Sequence, residues 1–222
     1  IPSPGTQVRP RHFLWLSAAV LLIIALTVAG VAYLGRAPRS STQRFSLLAP
    51  EGATVVDVAL SPDGNHLAFS AVSEGRAMLW LRPLDSASAT PLIGTEGATA
   101  PFWSPDSRSI GFFAQRKLKR ISISGGPTQT LCDSPGFWGA TWNRAGVILF
   151  SPDQLQSLYR VPAGGGTPEP VTTVDRANGE RAHSYPSLLP DGRHFLYTAT
   201  GVDVENSWIR VGDLGSAESQ PL

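Results

Sequence analysis

One turn, written four times, restricts this chain more than any other feature. Leu60-Ser61-Pro62-Asp63-Gly64 runs into an apolar stretch ending at Phe69, and Trp103-Ser104-Pro105-Asp106-Ser107 runs into one ending at Phe112. Leu188-Leu189-Pro190-Asp191-Gly192 leads to Tyr197, and a degenerate copy, Trp142-Asn143-Arg144-Ala145-Gly146, leads to Phe150. Asp63 and Asp106 stand 43 positions apart, and Asp191 follows Asp106 by 85, close to two further periods. Proline presets φ at the second position of a type I turn, Asp caps neighbouring amides from the third, and Gly supplies the left-handed residue that follows. Each copy is therefore a hairpin tip. The flanks alternate apolar and polar residues, as in Val56, Val58 and Leu60, and are rich in β-branched and aromatic types, so they read as strands. A third strand follows in each unit (Met78 to Leu84, Leu118 to Ile123, Leu158 to Val161, Trp208 to Val211), then a short fourth near Leu92, Leu131, Val171 and Leu222.

The Ser-Pro-Asp-Gly turn followed by an apolar strand resembles the TolB-type, WD-like β-propeller repeats of bacteria, whose blades are four-stranded and about 40–45 residues long. The resemblance covers residues 43–222 and implies an all-β fold of about four blades, approximately 53–94, 98–133, 139–173 and 184–222. Asp63, Gly64, Asp106, Asp191 and Gly192 are structural turn residues in this scheme. Ala145 lacks the carboxylate, so its turn is expected to rest on Gly146 and backbone hydrogen bonds alone. Phe45 to Leu48 looks like an outer strand awaiting the rest of its blade. Propellers of this type usually have six or more blades, so an open arc or a truncated chain is expected, with further residues after Leu222, and a closed four-bladed ring is the less favoured alternative.

From Phe13 to Leu34 the chain holds 22 residues without a charge or a proline. At 1.5 Å per residue a helix of that length covers about 33 Å, close to the thickness of a bilayer core. Trp15 and Tyr33 near its ends and arginines on both flanks suit a single transmembrane helix. A cleaved signal peptide would have a shorter apolar run. Arg9 and Arg11 precede the span while Arg36, Arg39 and Arg44 follow it, so the positive-inside count leaves the orientation open. Ala25 and Ala29 offer a small-residue pair for dimerisation through the span. Residues 1–12 and 35–44 read as linkers on either side, the first Pro-rich and the second Pro- and Ser-bearing. Propeller repeats then occupy 45–222. Linker, span and propeller together resemble the C-terminal half of a bacterial receptor-type serine/threonine protein kinase. That implies a kinase domain before Ile1 and a propeller on the non-cytoplasmic side of the cell membrane.

The formal net charge is +1, yet every charge before Phe45 is an arginine, and the remainder carries a net of −4. Nucleic-acid binding needs positive charge gathered on the folded domain, so no nucleic-acid partner is expected. One cysteine, Cys132, excludes an internal disulfide or a multi-thiolate zinc site. There is no G-x-S-x-G elbow, H-E-x-x-H, Walker A or kinase motif. No catalytic residue, cofactor or metal is expected in this segment.

Ligand recognition is expected where fourth-to-first-strand connections meet second-to-third-strand loops. The longest such connection, Thr173 to Tyr185, carries Asp175, Arg176, Glu180, Arg181 and His183, and the loop one unit earlier offers Phe137 and Trp138 as aromatic anchors. The expected ligand is a protein, a peptide or a glycan, bound by a membrane-anchored sensor module. Two alternatives stand beside it: the gating propeller of a prolyl-oligopeptidase-like hydrolase, and a scaffold for protein interactions.

Overall fold

A computed structural model describes residues 21–28, 30, 51–153, 155–201 and 207–221. The chain divides into two units, Ile1–Leu47 and Leu48–Leu222. In the first, residues 21–28 and 30 are helical and exposed. Thr27 donates its hydroxyl back to the carbonyls of Ile23 and Ile24, each at 2.9 Å. Among the described residues no helix is long and apolar enough to cross a membrane. Most of the 13–34 stretch expected to span, both linkers and the Phe45 to Leu48 segment lie outside the described residues.

The second unit is all-β, with four antiparallel sheets whose strands follow chain order. The first holds β1 (Ala53–Leu60), β2 (His66–Ser73), β3 (Arg76–Pro83) and β4 (Thr90–Pro91). The second holds β5 (Thr99–Trp103), β6 (Ser109–Ala114), β7 (Lys117–Ser122) and β8 (Gln129–Asp133). The third holds β9 (Ala140–Trp142), β10 (Val147–Phe150), β11 (Tyr159–Pro162) and β12 (Glu169–Pro170). The fourth holds β13 (Glu180–Leu188), β14 (His194–Gly201), β15 (Trp208–Asp213) and β16 (Ser216–Pro221). Two outermost strands, β4 and β12, are two residues long and end in proline, which blunts an edge that would otherwise template another strand.

The sheets are joined through their first strands, because β1 packs on β5, β5 on β9 and β9 on β13. Three apolar clusters fill the gaps between consecutive sheets. Ala68, Leu79 and Leu81 of the first sheet meet Trp103, Ile110 and Phe112 of the second. Phe102 and Leu118 meet Ile148 and Phe150, and Leu149 and Leu158 meet Phe195 and Tyr197. Burying each of the leucines, isoleucines and phenylalanines among them contributes about 1.5–3 kcal/mol, so the interior-facing register of these strands is strongly fixed. The first strands also bulge, at Val55/Asp57, Thr99/Phe102 and Ser184/Ser187. The bulged backbone reaches the neighbouring sheet: Ala100 N–H donates to Asp57 Oδ2 at 3.0 Å, and Tyr185 N–H donates to the Trp138 carbonyl at 2.7 Å.

Candidate functional site

At one end of every sheet lies the turn between its first and second strands, and each turn is closed by local chemistry. Ser61 donates its hydroxyl to Asp63 Oδ1 and accepts from His66 N–H at 2.9 Å, while Asn65 N–H donates to the same carboxylate at 3.0 Å. Ser104, Asp106, Arg108 and Ser109 repeat the pattern. These hydroxyls, followed by the backbone donors, hold the Asp63 and Asp106 carboxyls below their ordinary range. In the fourth sheet Leu189 has no hydroxyl to offer. His194 Nδ1 takes its place at 2.6 Å from Asp191 Oδ2, joined by the N–H groups of Arg193 and His194, and the Asp191 carboxyl falls to about 2.

The third turn corrects an expectation. It does not rest on backbone bonds alone, because Asn143 stands where Ser61 and Ser104 do. Its Oδ1 accepts from Val147 N–H at 2.9 Å and its Nδ2 donates to the Gly192 carbonyl at 2.8 Å. One amide thus closes its own turn and ties it to the next sheet. The second turn differs as well, since Ser107, not glycine, takes the left-handed position at φ +60°.

Because the sheets are adjacent at their first strands, the four turns converge around a cavity of about 680 Å³. Pro62 reaches it from the first turn, Trp103 from the second, Trp142 and Arg144 from the third, and Leu188 and Asp191 from the fourth. A neighbouring depression of about 430 Å³ shares Trp142, Asn143 and Arg144 and adds Arg120 and Asp106. Trp103 is held by its indole N–H, which donates to the Ala59 carbonyl at 2.9 Å, and Trp142 by an edge contact with Phe102 at 6.4 Å between ring centroids. The result is a rigid apolar shelf flanked by the exposed Arg144 and Asp191. With its carboxyl near 2, Asp191 stays ionised at neutral pH and is a feeble proton acceptor, so this arrangement suits binding rather than acid/base chemistry.

The residues singled out in the connections occupy the strand ends away from these turns. Glu180 and His183 are 4% and 1% exposed. His183 Nε2 lies 3.0 Å from Glu180 Oε2, so this nitrogen carries the proton, and Nδ1 at 2.7 Å accepts from the Thr172 hydroxyl. Thr172 Oγ1 in turn accepts from Leu158 N–H at 3.0 Å. Glu180 Oε2 also accepts from Asp175 N–H at 2.8 Å, and Oε1 pairs with Arg210 Nη2 at 2.8 Å. Burial pushes the His183 pKa down, against the opposing pull of Glu180. Asp175 caps the 3-10 turn Arg176–Asn178 through Asn178 N–H. Arg176 donates to the Leu155 carbonyl at 2.9 Å, and Arg181 is exposed. The structure therefore brings Glu180 and His183 into one buried network, to which Asp175 is joined through its backbone N–H, and this network ties down the connection to the fourth sheet. Phe137, 53% exposed, lies 6.4 Å from Phe113, and Trp138 makes an edge contact with Tyr185 at 6.3 Å. Both lie apart from the cavity at the turns. Among the described residues no group of three or more His, Cys, Asp or Glu is placed to hold a metal ion.

Solved structures share this architecture. TolB from Acinetobacter baumannii superimposes with a TM-score of 0.63 at 18% identity, over 76% of this chain and 43% of that one. The β-propeller domain of the Trilobed protease from Pyrococcus furiosus superimposes with a TM-score of 0.52 at 10% identity, over 78% of this chain and 58% of that one. The fold is a TolB-like β-propeller. The four sheets are its blades, and their first strands are the inner ones. No family model matches the chain. An uncharacterised peptidase, YuxL of Bacillus subtilis, is 29% identical over 125 residues, which is 51% of this chain and 18% of that protein. The chain thus spans less than a fifth of that curated relative.

Trp103, Trp142, Asn143 and Arg144 line the cavity and are not among the residues expected there from the sequence. The available signal was a tryptophan directly before the turn in two consecutive repeats. Its meaning depended on knowing that the inner ends of the blades meet.

Proposed function

We propose that this propeller is a non-catalytic recognition module that binds a protein or peptide segment in the cavity where its four turns converge. The observation that carries this reading is the fixed shelf of Trp103, Trp142 and Leu188 beside Arg144 and Asp191. Apolar area with a few oriented polar groups is the usual make-up of a ligand site. The apolar composition of residues 13–34 supports a membrane anchor, and the linker, span and propeller order supports a sensor coupled to a serine/threonine kinase domain. Thermal shifts of the chain against fractionated cell-envelope extracts test the binding step. The expected result is a stabilising fraction whose effect disappears in an Arg144→Ala variant of unchanged melting temperature, and in a Trp142→Phe variant compared with its own ligand-free melt. Uniformly flat melts would leave only a scaffold. Protease shaving of intact cells tests the non-cytoplasmic placement.

A second reading is favoured by the match to YuxL: the propeller would gate the catalytic domain of a prolyl-oligopeptidase-like hydrolase. Both readings extend the fold by analogy. The open reading frame separates them, through kinase motifs upstream of Ile1 or a nucleophile elbow downstream of Leu222.

A further inference from the structure

The repeat shows which side chains a turn does not need. Directly after Ser61, Ser104 and Leu189, three of the tips place a proline and then a carboxylate: Pro62-Asp63, Pro105-Asp106 and Pro190-Asp191. The third tip reads Arg144-Ala145 at those two places. It loses one negative charge, gains a positive one, and gives up a residue that presets φ for the turn. Closure does not require the exchange, because Asn143 holds this tip through Val147 N–H and the Gly192 carbonyl. Arg144 is exposed and has no hydrogen-bond acceptor or ion-pair partner among the described residues. The fold makes no use of its charge.

A second guanidinium lines the same depression. Arg120, on β7, donates through Nε to Gln129 Oε1 at 2.9 Å, and Gln129 Nε2 donates to the Gly164 carbonyl of the third blade at 2.8 Å. This relay holds Arg120 at the boundary of the second and third blades and leaves its Nη groups without an acceptor among the described residues. Asp106 lines the depression too, ionised, with Oδ1 already accepting from the Ser104 hydroxyl and Arg108 N–H. Two guanidiniums and one carboxylate leave the lining with a net charge of +1. That surplus matches a single carboxylate. A dianionic phosphate would exceed it and would meet Asp106 besides.

Trp142, Asn143 and Arg144 line both the depression and the larger cavity, so the two form one continuous floor. A segment lying on it sets an apolar side chain against Trp103 and Trp142 and a neighbouring side chain over Arg144. Because the floor runs on past Arg144 to Arg120 and Ala163, the segment passes through, and the acid it presents is a side chain rather than a chain end. Resting on the proposed reading of the turn cavity as a recognition site, we infer that its ligand is an acidic peptide segment, with an Asp or Glu side chain held by Arg144 and Arg120 beside an apolar residue held by Trp103 and Trp142. Guanidinium–carboxylate hydrogen bonds are charge-assisted and gain strength beside an apolar wall.

The test selects from a library of random short peptides, blocked at both ends, on the whole 222-residue chain in neutral detergent micelles, after subtraction on empty micelles. Retained peptides are expected to carry Asp or Glu next to an aromatic or aliphatic residue, above the frequency in the library. Changing that acid to its amide in a retained peptide is expected to weaken binding to the wild type about 10-fold or more. The same change should cost an Arg120→Gln variant less and an Arg144→Gln variant least. The change on the peptide side cannot disturb the fold of the protein. Retained peptides without acidic enrichment overturn the inference and leave the cavity a recognition site, as does an acid-to-amide change that costs all three proteins equally. A library from which nothing is retained removes the recognition reading and the inference together.

Discussion

The backbone N–H of Asp63 donates to Ser107 Oγ at 3.1 Å, across the boundary between the first and second blades. Ser107 is 4% exposed and sits at φ +60°, a conformation that costs an L-residue roughly 1–2 kcal/mol. The hydroxyl compensates by tying two turn tips together. Ser107→Ala keeps the strained backbone and removes the bond, and is expected to lower stability by about 1 kcal/mol. Ser107→Gly loses the bond but relieves the strain and should be closer to neutral. Urea midpoints of the two variants check the ordering, and equal midpoints would reject it.

Gly111 is the second pressure point. A Cβ built on it falls within the Phe102 ring, and Gly212 stands in the same relation to Phe195. Phe102 belongs to the cluster between the second and third blades. Gly111→Ala is expected to destabilise by about 1–3 kcal/mol through overpacking. Phe102→Leu added to it should recover part of the loss, whereas additive losses would contradict the packing explanation.

His183 makes stability depend on pH. Its pKa is lowered from 6.5, chiefly by burial, so in the window below 6.5 the unfolded chain binds the proton first. Stability therefore falls as pH drops from neutrality through 6.5 and below, with ∂ΔG/∂pH positive in that window. Thermal melts between pH 7.5 and 5 are expected to show this slope. A His183→Gln variant should show a shallower one, even where its stability at neutral pH is reduced.

Cys132 is buried in the cluster between the second and third blades, where desolvation, assisted by the neighbouring Asp133 carboxylate, pushes its thiol up to about 11. Thiolate is the reactive form. A disulfide reagent at neutral pH is expected to label Cys132 only at the rate at which the propeller opens, and promptly in denaturant. Rapid labelling of the native chain would contradict this packing.

The four hairpin tips were legible because the turn chemistry is local. Proline, aspartate and glycine act within five residues, and the strands on either side repeat with period two. Asn143 was harder to read. Its amide replaces a Ser-Asp pair only through Val147 and the carbonyl of Gly192, 49 positions away. Glu180 and His183 looked like ligand-binding groups in the sequence because buried and exposed polar residues are spelled alike. Their partners, Thr172, Asp175 and Arg210, come from the preceding blade's end, the connecting loop and the third strand of the fourth blade.

The sequence by itself determined the repeat, the antiparallel sheets and the exclusion of common catalytic motifs, because these depend on residue type at short spacing. Only the tertiary structure decided which tryptophans meet around the cavity and which polar groups are buried together. Those properties depend on distances between blades, which short-range pattern does not encode.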